Sequence, residues 1–264
     1  MNQLWSADLK NDELKDAFVK FLNCPCRHFP PMEDDSEIMR AYAEAKERST
    51  KEGFIPIIIA YDETLWESLV MNSEAEQESD DGKYPFNPRA VEIYRAEAVK
   101  LPLKTSAESL ADIYEADILH EAERVPDEEI DNARIAEGST EFSSYWQYSK
   151  EMTAPVILAE IPVKEPWEIF AWLPFGGWNE CPDTPQLMSV VKDWSEKYQA
   201  VPAVITSDVM EMTVPEPVTD KKEALVLAKE QTAFCSDIVF QGVNSITALA
   251  DLLTKSTVWY FWWD

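Results

Sequence analysis

The sequence contains few histidines, cysteines, glycines and basic side chains. Its 264 residues include two histidines, four cysteines and six glycines, with 23 lysines and arginines against 50 aspartates and glutamates. Two histidines are too few for a multi-histidine metal site and leave little for a histidine-centred triad. Four cysteines are too sparse for a disulfide scaffold in a chain this long, so we expect reduced thiols. Composition indicates no cofactor and no bound metal.

The shortage of basic side chains gives a formal net charge of −27. Such a surface repels a phosphate backbone, and no run of lysine and arginine is present to offset the repulsion. We therefore expect no direct binding to nucleic acid. Residues 151–264 contain no arginine at all, so they lack the planar clamp that phosphate ligands favour.

Long apolar runs are absent as well. No stretch of about eighteen apolar residues occurs, and the first residues lack the basic-then-apolar pattern of a signal peptide. We therefore expect a cytoplasmic protein that does not enter a membrane. The chain is still 45% hydrophobic, which is enough to build a packed core and argues against disorder throughout.

Residue types change near position 150. Residues 151–264 hold seven of the ten tryptophans. We predict an acidic N-terminal α/β region over 1–150 and a tryptophan-rich α/β domain over 151–264. Two acidic stretches without apolar periodicity, 72–82 and 121–144, are predicted to be solvated loops, the second with a helical turn at 130–135.

Apolar periodicity predicts helices that alternate with strands. A helical pattern ends at Gly53, a buried strand follows over 54–59, and Asp62 is placed to cap the next helix. In the second half, a helix capped by Thr184 precedes a strand over 200–205. This alternation predicts an α/β (or α+β) fold with a mixed sheet flanked by helices.

The spacing from Pro56 to Asp62 is repeated from Pro202 to Asp208. Two related α/β units are one interpretation of this echo. Convergence is the other, because strands favour β-branched residues and helix starts favour aspartate.

The last third of the chain has the clearest signals. Strands are predicted over 156–161 and 167–173, with helices capped by Asp220 and by Asn244 or Ser245. The ending 257–264 is apolar at nearly every position, which is typical of a strand covered on both faces. We therefore predict that the C-terminal strand is central in the sheet.

These same residues resemble a known family. The loop 174–182, the segment 228–237 and the ending 259–264 are together similar to the bacterial domain of unknown function 4253 family. The resemblance extends over about residues 155–264. It implies no activity and no catalytic residue.

An enzyme is one hypothesis for the loop that contains Gly176 and Gly177. Glu180, Asp208 and Asp237 are candidates to hold a divalent cation or to act as acid and base, and Cys181 is a candidate nucleophile. Against this, the two glycines lack the spacing of a phosphate-binding loop. The run Cys24-x-Cys26-x-His28 also lacks the second ligand pair of a zinc site and is interpreted as a loop.

Protein recognition is the favoured hypothesis, without catalysis. An acidic surface attracts a basic partner, and Trp178 is a candidate aromatic anchor because Trp194, Trp259, Trp262 and Trp263 are expected in the core. The predicted binding residues are Gly176, Gly177, Trp178, Asn179 and Glu180. An immunity-like inhibitor of a basic toxin or nuclease fits this pattern, although the charge also fits a role in solubility alone. The sequence indicates no oligomeric state.

Overall fold

The computed structural model describes residues 3–76, 84–121 and 137–264. The helices are α1 (Gln3–Leu22), α2 (Ser36–Glu52), α3 (Glu63–Asn72), α4 (Pro88–Ala98), α5 (Ser106–Glu121), α6 (Ile169–Trp172), α7 (Thr184–Tyr198), α8 (Lys221–Phe234) and α9 (Ile246–Leu253). The strands are β1 (Cys26–Phe29), β2 (Ile55–Ala60), β3 (Trp146–Gln147), β4 (Met152–Thr153), β5 (Val156–Ile161), β6 (Val201–Ile205), β7 (Val209–Thr213) and β8 (Val258–Trp262). The predicted α/β class is confirmed. Among the described helices, none is both long and apolar enough to cross a membrane.

The chain forms two compact units. The first comprises Met1–Leu101, Tyr145–Phe175 and Ile205–Ser207, and the second comprises Pro102–Ser144, Gly176–Val204 and Asp208–Asp264. Each unit therefore combines segments from both sides of residue 150. The predicted turn at 130–135, with residues 122–136 of the second acidic stretch, and residues 77–82 at the end of the first stretch lie outside the described residues. The start of that stretch is packed, because Ser73 and Ala75 are buried.

The first unit confirms the predicted helix, strand and helix. Gly53 ends α2 with a φ of 76°, a left-handed conformation that glycine adopts without steric cost. Every residue of β2 is buried. The Asp62 side chain then accepts a hydrogen bond from the Leu65 N–H and caps α3. The strand–aspartate echo ends at this point, because Asp208 precedes β7 rather than a helix.

Strand β5 lies between β1 and β2 in the first unit and is antiparallel to both. The loop predicted around Cys26 and His28 is thus partly a strand. His28 Nε2 lies 3.0 Å from the Tyr61 hydroxyl, so this ring has a hydrogen-bond partner. Helix α2 packs against β2 and β5.

A helix replaces one strand predicted in this unit. Residues 166–168 form a 3-10 turn that continues into α6, so the strand predicted over 167–173 is wrong. Glu165 and Glu168 form a capping box and Pro166 occupies the first helical position. These start signals outweigh the high strand propensity of the tryptophans and isoleucine that follow.

In the second unit β7 lies between β6 and β8, and β8 pairs with β7 in antiparallel register. Strand β8 therefore lies at the edge of the strands in this unit, and its predicted central position is wrong. The two faces of β8 differ. Phe261 is fully buried, whereas its neighbour Tyr260 is 40% exposed. Tyrosine and tryptophan have large apolar rings, so the run looks apolar at every position. Each also carries a polar atom that tolerates a surface position, so such a run does not require cover on both faces.

The buried face of β8 packs on helices α7 and α8 through aromatic rings. Trp194 of α7 stacks on Phe261 with ring centroids 5.5 Å apart, and Phe234 of α8 meets Phe261 edge-on at 5.2 Å. Trp259 and Trp263 extend this aromatic cluster along the strand. Trp194, Trp259 and Trp263 are buried as predicted.

Two details differ from the sequence prediction. Trp262 is only half-buried, and its indole nitrogen donates a hydrogen bond to the Asp208 carboxylate, 3.1 Å away. Asp183, not Thr184, caps α7, and it forms a capping box with Gln186. An aspartate accepts the N–H of the third helical residue more readily than a threonine does.

Replacing Phe261 with alanine should test the contribution of the aromatic cluster. The substitution leaves a cavity among three aromatic rings, so we expect it to lower the free energy of unfolding by about 3–5 kcal/mol. The matched control is Tyr260→Ala on the exposed face of the same strand, with an expected loss below about 1 kcal/mol. Urea denaturation of the full-length protein measures both. Equal losses would contradict the described orientation of β8.

A buried carboxylate on β7 connects this strand to residues 143–144 in the second unit. Glu211 is fully buried, and its two oxygens accept hydrogen bonds from the N–H and hydroxyl groups of Ser143 and Ser144. Desolvation raises the pKa of Glu211 above its ordinary value of 4.5, and the four donors oppose that shift. The serines therefore make burial of this charge tolerable.

Glu211 should give the protein a measurable pH dependence of stability. Because its pKa is higher in the folded state, the folded state retains the proton longer, and the stability that Glu211 contributes declines as the pH rises above about 4.5. As the pH rises above about 4.5, we expect the free energy of unfolding of the wild type to fall relative to that of Glu211→Gln. Urea denaturation at a series of pH values measures it. A pH-independent difference would contradict the raised pKa.

Candidate functional site

The loop after Phe175 has a fixed backbone conformation. Gly176 and Gly177 have φ values of 89° and 75°, which favour glycine. A Cβ atom at Gly176 would lie 2.2 Å from the Pro182 carbonyl oxygen, so that position excludes every other residue. The Gly177 N–H donates to the same carbonyl at 3.0 Å, and the Cys181 N–H donates to Trp178 O at 2.9 Å. The two ends of the loop are thus held together by main-chain hydrogen bonds.

The tip of this loop faces solvent and is attached to the C-terminal segment. Gly177, Asn179 and Glu180 are exposed, and Trp178, the candidate anchor, is half-buried. Asn179 Nδ2 donates a hydrogen bond to the Asp264 main-chain oxygen at 2.8 Å. The predicted binding residues therefore form one ordered surface element, except that Gly176 is buried beneath it.

Two of the three acids proposed for catalysis, Asp208 and Asp237, hold the end of β8 instead. Asp208 accepts the Trp262 indole N–H through its carboxylate and the Trp263 N–H through its main-chain oxygen. Asp237 accepts the Asp264 N–H at 3.0 Å and the Gln241 side-chain amide at 2.8 Å. Both carboxylates have structural partners, and Glu180 lies at the exposed loop tip.

No metal centre is formed by these side chains. Among the side chains that the structure describes, at residues 12–76, 84–114 and 137–264, no three histidines, cysteines, aspartates or glutamates are grouped so that they could hold a metal ion. Each predicted acid is thus in the second unit, but the structure gives them separate roles. Sequence spacing did not show these roles, because the C-terminal residues that Asp208 and Asp237 bind follow them by up to 54 residues.

Cys181 is placed unfavourably for nucleophilic attack. The thiol is buried, and desolvation raises its pKa well above the ordinary value, with the nearby Cys235 adding to the shift. Burial also raises the pKa of Cys235, whose thiol donates a hydrogen bond to the Trp262 carbonyl at 3.0 Å. A buried neutral thiol is a poor nucleophile because the thiolate is the reactive form.

Thiol labelling should distinguish these environments. In the first unit Cys26 is partly exposed, and a hydrogen bond from Cys24 lowers its pKa. We expect iodoacetamide to modify Cys26 first in the native protein, whereas Cys181 and Cys235 react only after unfolding. Mass spectrometry of the digested protein gives the order. Labelling of Cys181 as fast as Cys26 would contradict the burial and restore it as a candidate nucleophile.

Sequence reasoning missed one buried charge in the first unit. Arg95 of α4 is buried and lies over the Trp172 ring, 4.0 Å from its centroid. Its guanidinium donates hydrogen bonds to the carbonyls of Phe21 and Trp172, and burial lowers its pKa to about 10. Phe21 belongs to the last turn of α1, where the helix dipole favours a cation.

Arg95 also lines a cavity of about 490 Å³ that includes Lys164 and Glu168. The two carbonyls that accept hydrogen bonds from Arg95 hold its guanidinium in this wall, so the side chain has a structural role. No motif marks Arg95, because its partners are main-chain carbonyls whose positions depend on the tertiary fold.

Comparison with known proteins identifies part of the chain. The family model for a domain of unknown function (DUF4253) matches residues 157–264. This confirms the resemblance seen in the loop 174–182, the segment 228–237 and the ending 259–264. The matched residues include the ordered loop, α7 to α9 and β8. No curated protein and no solved structure shows significant similarity to the chain.

Proposed function

We propose that the protein recognises a basic protein partner through the loop tip at residues 177–183. The protein would then act as an immunity-like inhibitor of a cationic toxin or nuclease in the cytoplasm. The observation that supports this most is the ordered loop, which combines exposed acids with a half-buried tryptophan.

The order of the loop favours binding. Its ends are joined by main-chain hydrogen bonds, and Asn179 fixes its tip to Asp264. A surface element that is already in its bound conformation loses less conformational entropy on association. Trp178 offers part of an indole ring, and tryptophan is among the residues that contribute most to binding energy at interfaces.

The charge of the loop selects the class of partner. Glu180, Asp183 and Asp264 are exposed in this element or beside it. No lysine or arginine occurs between Lys164 and Lys192. A patch of one sign attracts an oppositely charged partner and speeds encounter, most strongly at low salt. A lysine- or arginine-rich surface is therefore the complement that this loop fits.

The test compares charge reversal inside and outside the loop. Proteins captured from the native host at low salt are identified and purified, and their affinities for the wild type and for variants are measured by calorimetry. We expect Glu180→Lys to weaken binding of the basic partner at least tenfold, and Trp178→Ala to weaken it by a similar factor. The matched control is Glu216→Lys, an exposed site on the loop before α8 with the same change in net charge.

Three results would contradict the proposal. Equal weakening by Glu180→Lys and Glu216→Lys would show that net charge alone attracts the partner. Unchanged affinity for both loop variants would remove the loop from the interface. Failure to capture any basic protein would favour a role of the charge in solubility.

A further inference from the structure

The first unit contains the cavity of about 490 Å³ that has the Arg95 guanidinium in its wall. The wall is built by α4, by α6 and the turn before it, and by the segments that follow α1 and β5. All of these residues belong to the first unit. The apolar part of the wall consists of Ala96, Val99, Pro162, Val163, Ala171 and Trp172. Cavities of this size with apolar walls and a few polar groups are typical of small-molecule sites.

Arg95 keeps unused hydrogen-bond donors in this wall. A guanidinium carries five N–H groups. Nε donates to Trp172 O at 3.3 Å and Nη2 donates to Phe21 O at 2.8 Å, whereas Nη1 donates to no described residue. Two of the five N–H groups are therefore used and three remain, on Nη1 and Nη2. The side chain is 8% exposed, and Nη1 is not among the unpaired nitrogens that are sealed from solvent. An acceptor that enters the cavity can thus reach it.

The positive charge of Arg95 has no counter-ion in the part of the chain that the structure describes. None of the carboxylates placed there forms an ion pair with its guanidinium. The Trp172 ring covers one face of the guanidinium, with its centroid 4.0 Å from Cζ. Burial lowers the pKa of Arg95 to about 10, so the group is still charged at neutral pH. A buried charge without a counter-ion is costly, and a bound anion removes that cost.

The other charged groups of the wall leave the interior to Arg95. The Glu168 carboxylate accepts the main-chain N–H groups of Lys164 and Glu165, each at 3.0 Å, and so has its own donors. Lys164 and Glu92 are exposed, and neither forms an ion pair with a described residue. The cavity therefore presents a buried cation inside and one exposed charge of each sign nearer to solvent.

We propose that this cavity binds a small monocarboxylate with an apolar body, whose two oxygens accept hydrogen bonds from Arg95 Nη1 and Nη2. The planar guanidinium matches a carboxylate with two parallel N–H···O bonds, and such charge-assisted pairs are among the strongest hydrogen bonds in proteins. The apolar body packs on the apolar part of the wall, and Lys164 adds attraction from the exposed side. This site lies in the first unit and is independent of the loop tip at 177–183, so neither proposal depends on the other.

Charge and size limit the ligand class. One carboxylate balances Arg95, whereas a phosphate monoester carries nearly two negative charges, and its excess charge meets Glu92 and Glu168. A cationic ligand is repelled by Arg95, and a neutral one leaves the buried charge without a counter-ion. An apolar cavity of about 150 Å³ holds benzene, so this larger one has room for a ring together with a short chain.

Nuclear magnetic resonance of the full-length protein tests the site. The probes are the carboxylates 3-phenylpropionate and octanoate, with 3-phenylpropionamide as the uncharged isostere and 3-phenylpropyl phosphate as the dianion. We expect both carboxylates to shift the Trp172 indole N–H resonance in a saturable manner, because this ring lies against the Arg95 guanidinium. The amide should bind at least tenfold more weakly than 3-phenylpropionate, and the phosphate should also bind more weakly. Assignment of the resonance follows from its loss in Trp172→Phe.

Two variants separate ligand recognition from folding. Arg95→Lys keeps the charge but loses the planar pair of donors, and we expect it to weaken 3-phenylpropionate binding about tenfold. Lys164→Gln changes an exposed side chain and should weaken binding about two- to fivefold without affecting the fold. The matched control is Lys51→Gln, an exposed site at the end of α2 that does not line the cavity and should leave the affinity unchanged. If Arg95→Lys fails to fold, the comparison of acid with amide and the two lysine variants decide.

Equal affinity for 3-phenylpropionate and its amide would overturn the proposal, because the charge of Arg95 would then play no part. Absence of a saturable Trp172 shift with both carboxylates would also overturn it and would leave Arg95 with a structural role alone. Tighter binding of the phosphate would exclude a monocarboxylate. Equal effects of Lys164→Gln and Lys51→Gln would place the ligand outside this cavity.

Discussion

The packing of aromatic rings on one face of β8 is the interaction on which the second unit depends. Phe261 is enclosed by Trp194, Phe234 and Trp263, which come from two helices and from the residue that follows the strand. Large rings bury about 150–250 Å² each, so a few of them supply much of the hydrophobic stabilisation of a small unit. The packed aromatic side chains hold β8 in place. The positions of the groups that are hydrogen-bonded to its C-terminal end follow from the position of the strand.

The proposed binding loop is attached to the end of this strand. At its end, Asp208 and Asp237 bind Trp262, Trp263 and Asp264, and Asn179 connects the same segment to the exposed loop. Asp208 and Asp237, which resembled a catalytic group, thus have a structural use, and the exposed loop tip is the candidate binding surface.

Local signals predicted the elements well and the long-range partners poorly. Gly53, Asp62 and Asp220 act on hydrogen bonds within a few residues, so their caps follow from the sequence. The edge position of β8 and the partners of Asp208 and Asp237 depend on which segments meet in space. A run of aromatic residues does not show which face is covered, and a carboxylate does not show whether it will bind a metal or a main-chain N–H.

Native-state hydrogen exchange measures most directly whether β8 organises the second unit. The account predicts that the Trp263 and Asp264 amides are protected, and that the Gly177 and Cys181 amides share that protection because the loop is attached to the same segment. Phe261→Leu should increase exchange at all four amides together. Strong protection at Trp263 alongside free exchange at Gly177 and Cys181 would contradict the account, because the loop would then be independent of the strand.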